Sequence, residues 1–514
     1  MRESRNACDS ASRVVAARIA LLLGGFIAGP GCGGSVSVGP DGSVGVDAAG
    51  GSDAGVGGDA LVVSSPSCPA GSPLACYVDM HCPDGGRTSL SGTVYDPAGR
   101  NPVYEAVVFV PNDPANVPPI ATGAPSCRAC DVSIGDFVNF AFTDFAGHFT
   151  LTSVPTGENV PLVIQIGKWR RTIAVPQVRD CTDTAVASDL TRLPRNQKEG
   201  DLPQMALLTG ACDNLACFLR SVGVDASEFS SPHAGGRVEV YQGLGAVGTG
   251  ATLSNGVAGD CTTDACPLWS SKQSLEPYDA VLLGCECGEN NQTKPASSLL
   301  ALRDYLDQGG TVFAIHSQAT WFKNGPAEFQ AVANWTDGPV SGATGPFVVN
   351  TTSAKGQALE RWLASVGAAD RTGVVPLVPA DVSTSVTTVS PTTTDWIDDE
   401  STVIQQDGGV IPPSVKALSF RTPIALPDAS EGSRYCGTAY FTDIHAGGGQ
   451  ALQDTSAGGS GSPASIPGAC DGGPMTAEEK ALEFLFFYQS PCVSQPPVPP
   501  PPPVGGSIPS PPDH

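Results

Sequence analysis

The chain is short of charge, of basic residues and of histidine, and each shortage removes a class of function. Only 15 % of its 514 residues are charged, and 27 Lys and Arg stand against 51 Asp and Glu, a formal net charge of −24. Such a surface is repelled by nucleic acid phosphates and anionic headgroups, so no nucleic acid partner is expected. Six histidines are too few for a zinc-finger type of scaffold, and Cys127-x-x-Cys130 lacks a second well-spaced pair. No cofactor is expected and no metal is assigned. Long apolar runs are missing as well: Ile19–Ile27 is too short to span a bilayer as a helix. What is plentiful is Gly (61), Pro (46) and Cys (17), a mix that favours β-rich or loop-rich structure over long helices.

The N-terminal segment has the layout of an export signal. Arg2, Arg5, Arg13 and Arg18 precede the apolar run, and small residues lead to Cys32. A cysteine at that place predicts a lipoprotein signal over 1–31, with Cys32 lipidated as the new N-terminus. The expected location is the cell envelope, anchored to the outer membrane by that lipid alone, with plain secretion as the alternative. With Cys8 and Cys32 set aside, fifteen cysteines remain. In an oxidising compartment most should pair, and an odd count leaves at least one thiol free. Local pairs are expected for Cys212 with Cys217, Cys261 with Cys266, and Cys127 with Cys130.

Composition divides the rest. Residues 32–66 are Gly, Ser, Val, Asp and Ala with few large side chains, which predicts a disordered tether. Residues 493–514 hold the run Pro499–Pro503 and predict an exposed, disordered tail. Between them the chain reads as an antiparallel β-sandwich (67–195) followed by an α/β parallel-sheet domain (200–492). In the first, strands are expected at Ser89–Tyr95, Ala106–Val110, Phe137–Thr143, His148–Leu151, Pro161–Ile166 and Arg170–Val175. Leu90, Val94, Val107 and Phe109 alternate as core positions, and Asp96–Gly99 and Asp144–Gly147 serve as turns. In the second, strand-like Met205–Thr209, Arg237–Tyr241, Ala280–Leu283 and Thr311–Ile315 alternate with helices. One helix is read over Leu215–Val222, capped by Asp213 and stopped by Gly223. A second covers Leu299–Leu306, and a third Ala477–Tyr488 behind a Thr476/Glu479 capping box. That alternation argues a parallel sheet, whose ligands usually sit at the carboxyl ends of strands.

Two of these regions resemble known families. Leu90-Ser-Gly-Thr-Val-Tyr-Asp, Thr143-Asp-Phe-Ala-Gly-His-Phe-Thr-Leu and Val154-Pro-Thr-Gly resemble the carboxypeptidase regulatory-like (carbohydrate-binding-like) domain, with an insertion at Asn112–Asp136. That resemblance implies a non-catalytic sandwich. Tyr278-Asp-Ala-Val-Leu-Leu, Leu302–Gly310 and Ile315-His-Ser resemble the class I glutamine amidotransferase-like fold, closest to its ThuA-like branch, which is flavodoxin-like in architecture. The arrangement Ile164-Gln-Ile-Gly-Lys-Trp-Arg-Arg171 through Arg192-Leu-Pro-Arg-Asn-Gln-Lys-Glu-Gly200 into the second domain also resembles predicted lipoproteins of myxobacteria. The amidotransferase elbow carries a nucleophilic Cys; here His316 stands in its place, and His445 stands where the activating His would be. Cys285 and Cys287 fall on an earlier strand's exit and are expected oxidised rather than as thiolates.

Three chemistries are open to this edge. His316 and His445 could ligate a metal with Asp443. Ser317 could act as a nucleophile with a histidine and Asp443, although no G-x-S-x-G elbow surrounds it. The edge could also bind a small polar ligand such as a sugar. Against all three stands the plainer reading, that both histidines cap strand ends in a degenerate site. The expected function is therefore a non-catalytic binding or structural role toward a carbohydrate or an envelope protein. A hydrolase of sugar derivatives or amides at His316 and His445 is the alternative. Gly243-x-Gly245 reads as loop, Trp169-Arg170-Arg171 as a strand with solvated Arg, and the Asn291, Asn334 and Asn350 sequons carry no weight beside a bacterial-type signal.

Overall fold

The computed structural model describes residues 68–488, apart from stretches at 69–70, 79–80, 84, 124–133, 211, 245–251, 254–255, 342–344, 379–382, 405–409, 425–434, 447–469 and 471–472, together with 37–38 and 44–45. The expected signal with Cys32, the tail, and the Cys127 and Cys130 pair lie outside the described residues. The chain divides into two compact units, 1–64 and 65–514. In the first, Ser37–Val38 pairs antiparallel with Val44–Gly45. This short ladder lies within the segment expected to be an unstructured tether. Its two valine-bearing runs flank Gly-Pro-Asp-Gly-Ser, a turn-forming composition.

The second unit begins with two small sheets. All six expected strands form: β1 (Ser89–Thr93), β2 (Val107–Pro111), β3 (Phe137–Phe142), β4 (His148–Thr152), β5 (Gly157–Ile166) and β6 (Trp169–Val178). A seventh, β7 (Asp183–Ala185), pairs parallel to β1, a departure from the all-antiparallel expectation. The orders are β4-β1-β7 and β3-β2-β5-β6. Period-2 alternation buries Phe149 and Leu151 on β4, and Leu151 pairs with Leu90 across the ladder. The turn into β4 follows from its residues. Asp144 accepts from the backbone N–H groups of Ala146 and His148, and Gly147 takes φ 73°, where a Cβ would come within 2.7 Å of the Val94 carbonyl. Strand β2 is buried throughout. Val108 and Val110 face the shared core, while Val107 and Phe109 face the other way, against Val163, Val117 and Ile134. The insertion thus supplies a cover for a face that would otherwise be solvated.

Apart from two short two-stranded ladders, Thr252–Leu253 with Gly256–Val257 and Val403–Ile404 with Val410–Ile411, the remaining strands form one mixed sheet. Its parallel half runs Phe229–Ser230, β9 (Val238–Gln242), β8 (Met205–Thr209), β10 (Ala280–Leu283), β11 (Thr311–Ile315) and β15 (Gly437–Thr442). Registers such as Val281↔Val312↔Ala439 align the strand ends. These strands are apolar runs buried on both faces, as parallel strands under cover require. The sheet then continues antiparallel through β14 (Ser414–Thr422), β13 (Thr393–Asp399), Phe347–Val349 and Val374–Val375, with β12 (Ser383–Val389) also on β14. This extension makes the unit mostly β rather than evenly alternating α/β, and it was not read from the sequence.

Few helices cover it. Helix α1 (Leu215–Val222) is capped by Asn214, not by Asp213, and stops at Gly223 with φ 108°. Helix α2 spans Ala296–Gln308, α3 spans Ala354–Ser365, and α4 spans Ala477–Tyr488. The capping box at α4 forms in both directions: Thr476 N–H donates to Glu479 Oε2 at 3.0 Å, and Glu479 N–H to Thr476 Oγ1 at 3.2 Å. Helix α4 joins the small sheets to the large one through Phe484 on Tyr104, Phe487 on Trp169 and Phe486 on Phe218. Among the described residues no helix is long and apolar enough to cross a membrane.

Candidate functional site at the parallel strand ends

Strands β8, β10, β11 and β15 are neighbours and parallel, so their exits meet at one edge. The exits carry Asp213, Cys285, His316 and His445 respectively. The first two are held together through the backbone: Gly284 N–H donates to Leu208 O and Cys212 N–H to Cys285 O, both at 3.1 Å. Gly210 permits the approach, since a Cβ there would lie 1.9 Å from the Cys285 carbonyl.

His316 follows the last residue of β11 and takes φ 49°, a left-handed conformation that side chains other than glycine seldom adopt. The turn swings its ring onto the neighbouring exits. His316 Nδ1 stands 3.1 Å from Cys285 Sγ, and its ring centroid lies 4.7 Å from that of His445. His445 Nδ1–H donates to Asp213 Oδ1 at 3.0 Å. That carboxylate is buried and also accepts from the backbone N–H groups of Ala446 and Cys285, at 2.8 and 2.9 Å. It therefore fixes the His445 ring and the Cys285 backbone together. His316 Nε2 is buried without a hydrogen-bond partner.

The electrostatics leave the thiol inert. Burial, then the Asp213 charge, pushes the Cys285 thiol up to about 12. Burial, then His445, holds His316 down to about 3. A protonated thiol beside a neutral imidazole is not the thiolate–imidazolium pair of a cysteine nucleophile. Cys285 is the free cysteine among the described residues, against the expectation that it is oxidised, whereas Cys287 is bonded to Cys212.

Around these groups lies a polar brace. Ser317 Oγ accepts from Glu286 N–H at 3.2 Å and lies 3.3 Å from Cys285 Sγ. Glu286 is fully buried with Lys294, Nζ to Oε2 2.6 Å. Gln318 donates to the Gly284 carbonyl at 2.8 Å and accepts from Trp321 Nε1 at 2.8 Å.

The site thus brings together His316, His445 and Ser317 from the residues singled out in the sequence. Asp443 stands apart from them. Its own N–H donates to Lys416 O, keeping it in the ladder with β14. Its carboxylate accepts from Ser385 N–H and Oγ, each at 2.6 Å. Sequence reasoning missed Asp213 as a site residue. The tandem Asp213-Asn214 was a signal, because a helix has one N-cap and the second polar residue is free for other work.

Of the three expected cysteine pairs one forms, one is replaced, and Cys127–Cys130 lies outside the described residues. Cys261–Cys266 forms as expected. Cys212 pairs with Cys287 because the β8 and β10 exits are adjacent. Cys217, in the first turn of α1, pairs with Cys470 instead of Cys212. Cys68–Cys76 and Cys82–Cys181 are bonded as well, and Cys436 is also disulfide-bonded.

No protein-family model matches the chain, and no curated protein matches it. Two solved structures are similar over part of it. The cytoplasmic protein STM1381 from Salmonella typhimurium LT2 is 12 % identical with a TM-score of 0.26, covering 48 % of this chain and 92 % of its own. The cytoplasmic protein STM3548 from Salmonella typhimurium is 11 % identical with a TM-score of 0.26, covering 47 % and 87 %. Likeness at that level carries no argument about fold or function.

Proposed function

We propose that this is an exported cell-envelope protein, held at the outer membrane by lipid on Cys32. In this reading a carboxypeptidase regulatory-like sandwich carries a degenerate amidotransferase-like, flavodoxin-like α/β unit. That unit binds a small polar ligand, a carbohydrate before an envelope protein, at the exits of β8, β10, β11 and β15. The disulfides fit an oxidising compartment. The observation that carries the reading is the state of the edge itself. Two imidazoles and a carboxylate converge there, while both candidate nucleophiles, Cys285 and Ser317, are buried and bonded to one another. The test is a glycan array followed by calorimetry on the exported protein. Saturable binding lost in His445→Ala supports the reading; no saturable ligand, or binding indifferent to that change, overturns it.

Two observations favour a second reading, hydrolysis of sugar derivatives or amides. The strained elbow at His316 and the His445–Asp213 pair are features found where active sites store backbone strain and orient a base. Turnover of sugar esters or amides, abolished in His445→Ala, would establish it.

A further inference from the structure

We infer that Cys285, His316 and His445 form a zinc site of one thiolate and two imidazoles, with the fourth position left for water or a ligand. Sγ of Cys285 and one nitrogen of each imidazole lie within 4.8 Å of one another. Ligand atoms on one tetrahedral zinc, at bond lengths near 2.3 Å for sulfur and 2.0–2.1 Å for nitrogen, sit roughly 3.5 Å apart. The observed 3.1 Å between Sγ and His316 Nδ1 needs an opening of a few tenths of an ångström, and the wider separations a modest closing. Neither requires the backbone to move by a turn.

The surroundings match what a metal site requires beyond its ligands. Ligating histidines usually donate their other N–H to a carboxylate, which fixes tautomer and ring orientation. His445 does this toward Asp213, so its Nε2 is the ligating nitrogen. Asp213 is thus a positioning residue, and its further bond to the Cys285 N–H aims the third ligand as well. The donor set is borderline-soft, which suits zinc and not magnesium or calcium. The site also accounts for a thiol kept unpaired among disulfides. Binding exchanges the Cys285 thiol proton for the ion, so one proton leaves to solvent and affinity tightens as pH rises. Asp443, considered from sequence as the third ligand, takes no part.

The site does not depend on the ligand reading above, because the metal alone is the probe. The full chain is exported, purified and equilibrated with buffered zinc. The expected result is about one zinc per chain, falling more than tenfold in each of Cys285→Ser, His316→Ala and His445→Ala, and severalfold in Asp213→Asn. Peptide mapping of the Cys212–Cys287 bond in each variant separates lost ligation from lost fold. Wild-type protein loaded with cobalt gives a second arm: a near-ultraviolet thiolate-to-cobalt band, absent in Cys285→Ser while the visible bands persist. No stoichiometric zinc in the wild type, or zinc retained in all three variants, overturns the site. Copper in place of zinc in the protein as isolated overturns the assignment of the ion. Glycan binding without zinc sinks this inference alone, and zinc without any ligand sinks only the binding reading.

Discussion

Truncating Asp213 removes the acceptor from three donors at once: His445 Nδ1–H and the N–H groups of Ala446 and Cys285. Buried donors left unmatched cost about 1–3 kcal/mol each, with partial relief by water. Asp213→Ala should therefore lose several kcal/mol in urea unfolding, well beyond a surface change. A loss under about 0.5 kcal/mol, the ordinary range for a surface substitution, would show that the carboxylate is not holding the strand exits. His316 supplies a pH signature. Its folded pKa of about 3 lies below the ordinary value of 6.5. The unfolded chain then binds the extra proton between those values, so the stabilisation is present above about 6.5 and is lost as pH falls toward 3. Cys285 acts in the opposite range. Its folded value of about 12 lies above the ordinary 9.0, so its contribution is present below 9 and is lost as pH rises toward 12. Metal-free His316→Gln should flatten the acid limb of the stability profile, and Cys285→Ser the alkaline limb. Unchanged limbs in chemical denaturation would count against the buried, uncharged states assigned to both groups.

Element by element, what was legible in the sequence was whatever an apolar run or a cap announces. Strands β8, β10 and β11 and helices α1 and α4 fall on the residues read for them, because Met-Ala-Leu-Leu, Ala-Val-Leu-Leu and Thr-Val-Phe-Ala-Ile allow no solvated face. The antiparallel extension stayed hidden for the converse reason. Strand β12 is Ser-Thr-Ser-Val-Thr-Thr-Val and β13 is Thr-Thr-Asp-Trp-Ile-Asp-Asp, runs too polar to announce buried strands until Ala333–Ser341 pairs with the first and β14 with the second. The site was half legible. Histidines at strand ends can be seen by eye and the Asp213-Asn214 tandem leaves a trace, but that Asp213 meets Cys285 follows only from which strands are neighbours. Helix α4 carries a prediction of its own. Its Glu483 is buried facing Asp96 and accepts from Asn101 Nδ2 at 2.6 Å. Burial raises Glu483 well above the usual carboxylate range, and Asp96 with it. A raised group contributes fully below its unfolded pKa, near 4.5, and its contribution is lost as pH rises through the folded value. Glu483→Gln keeps an acceptor for Asn101 and a donor for Asp96 without the charge. It should match wild type near pH 4.5 and be the more stable protein at pH 8, read by urea midpoints. Parallel pH profiles for the two would mean that no buried carboxyl pair is titrating at this contact.

Across the whole molecule the disulfides differ most in how far they reach. Cys261–Cys266 closes a separation of 5 residues, whereas Cys217–Cys470 closes one of 253 and ties α1 to the segment entering α4. In the chain-entropy account, a cross-link stabilises by restricting the unfolded state, and the effect grows with the logarithm of the loop, to roughly 2 kcal/mol for the short loop and roughly 5 for the long one. Cys212–Cys287 shortens the effective long loop, but a logarithm makes that correction small. The native ends differ too. Helix α4 fills the space between the two groups of sheets with Phe484, Phe486 and Phe487, so its tether guards a large apolar contact, while Cys261 and Cys266 staple a local turn at a second apolar cluster. Removing Cys217 and Cys470 together as alanines should therefore cost more than twice what removing Cys261 and Cys266 costs, measured by denaturant unfolding of exported protein. It should also raise protease cleavage ahead of α4 under native conditions. Equal losses from the two double variants would place the stabilisation in local geometry instead of in the reach of the cross-link. A large loss without added cleavage would mean that α4 stays docked on Tyr104 and Trp169 by packing alone.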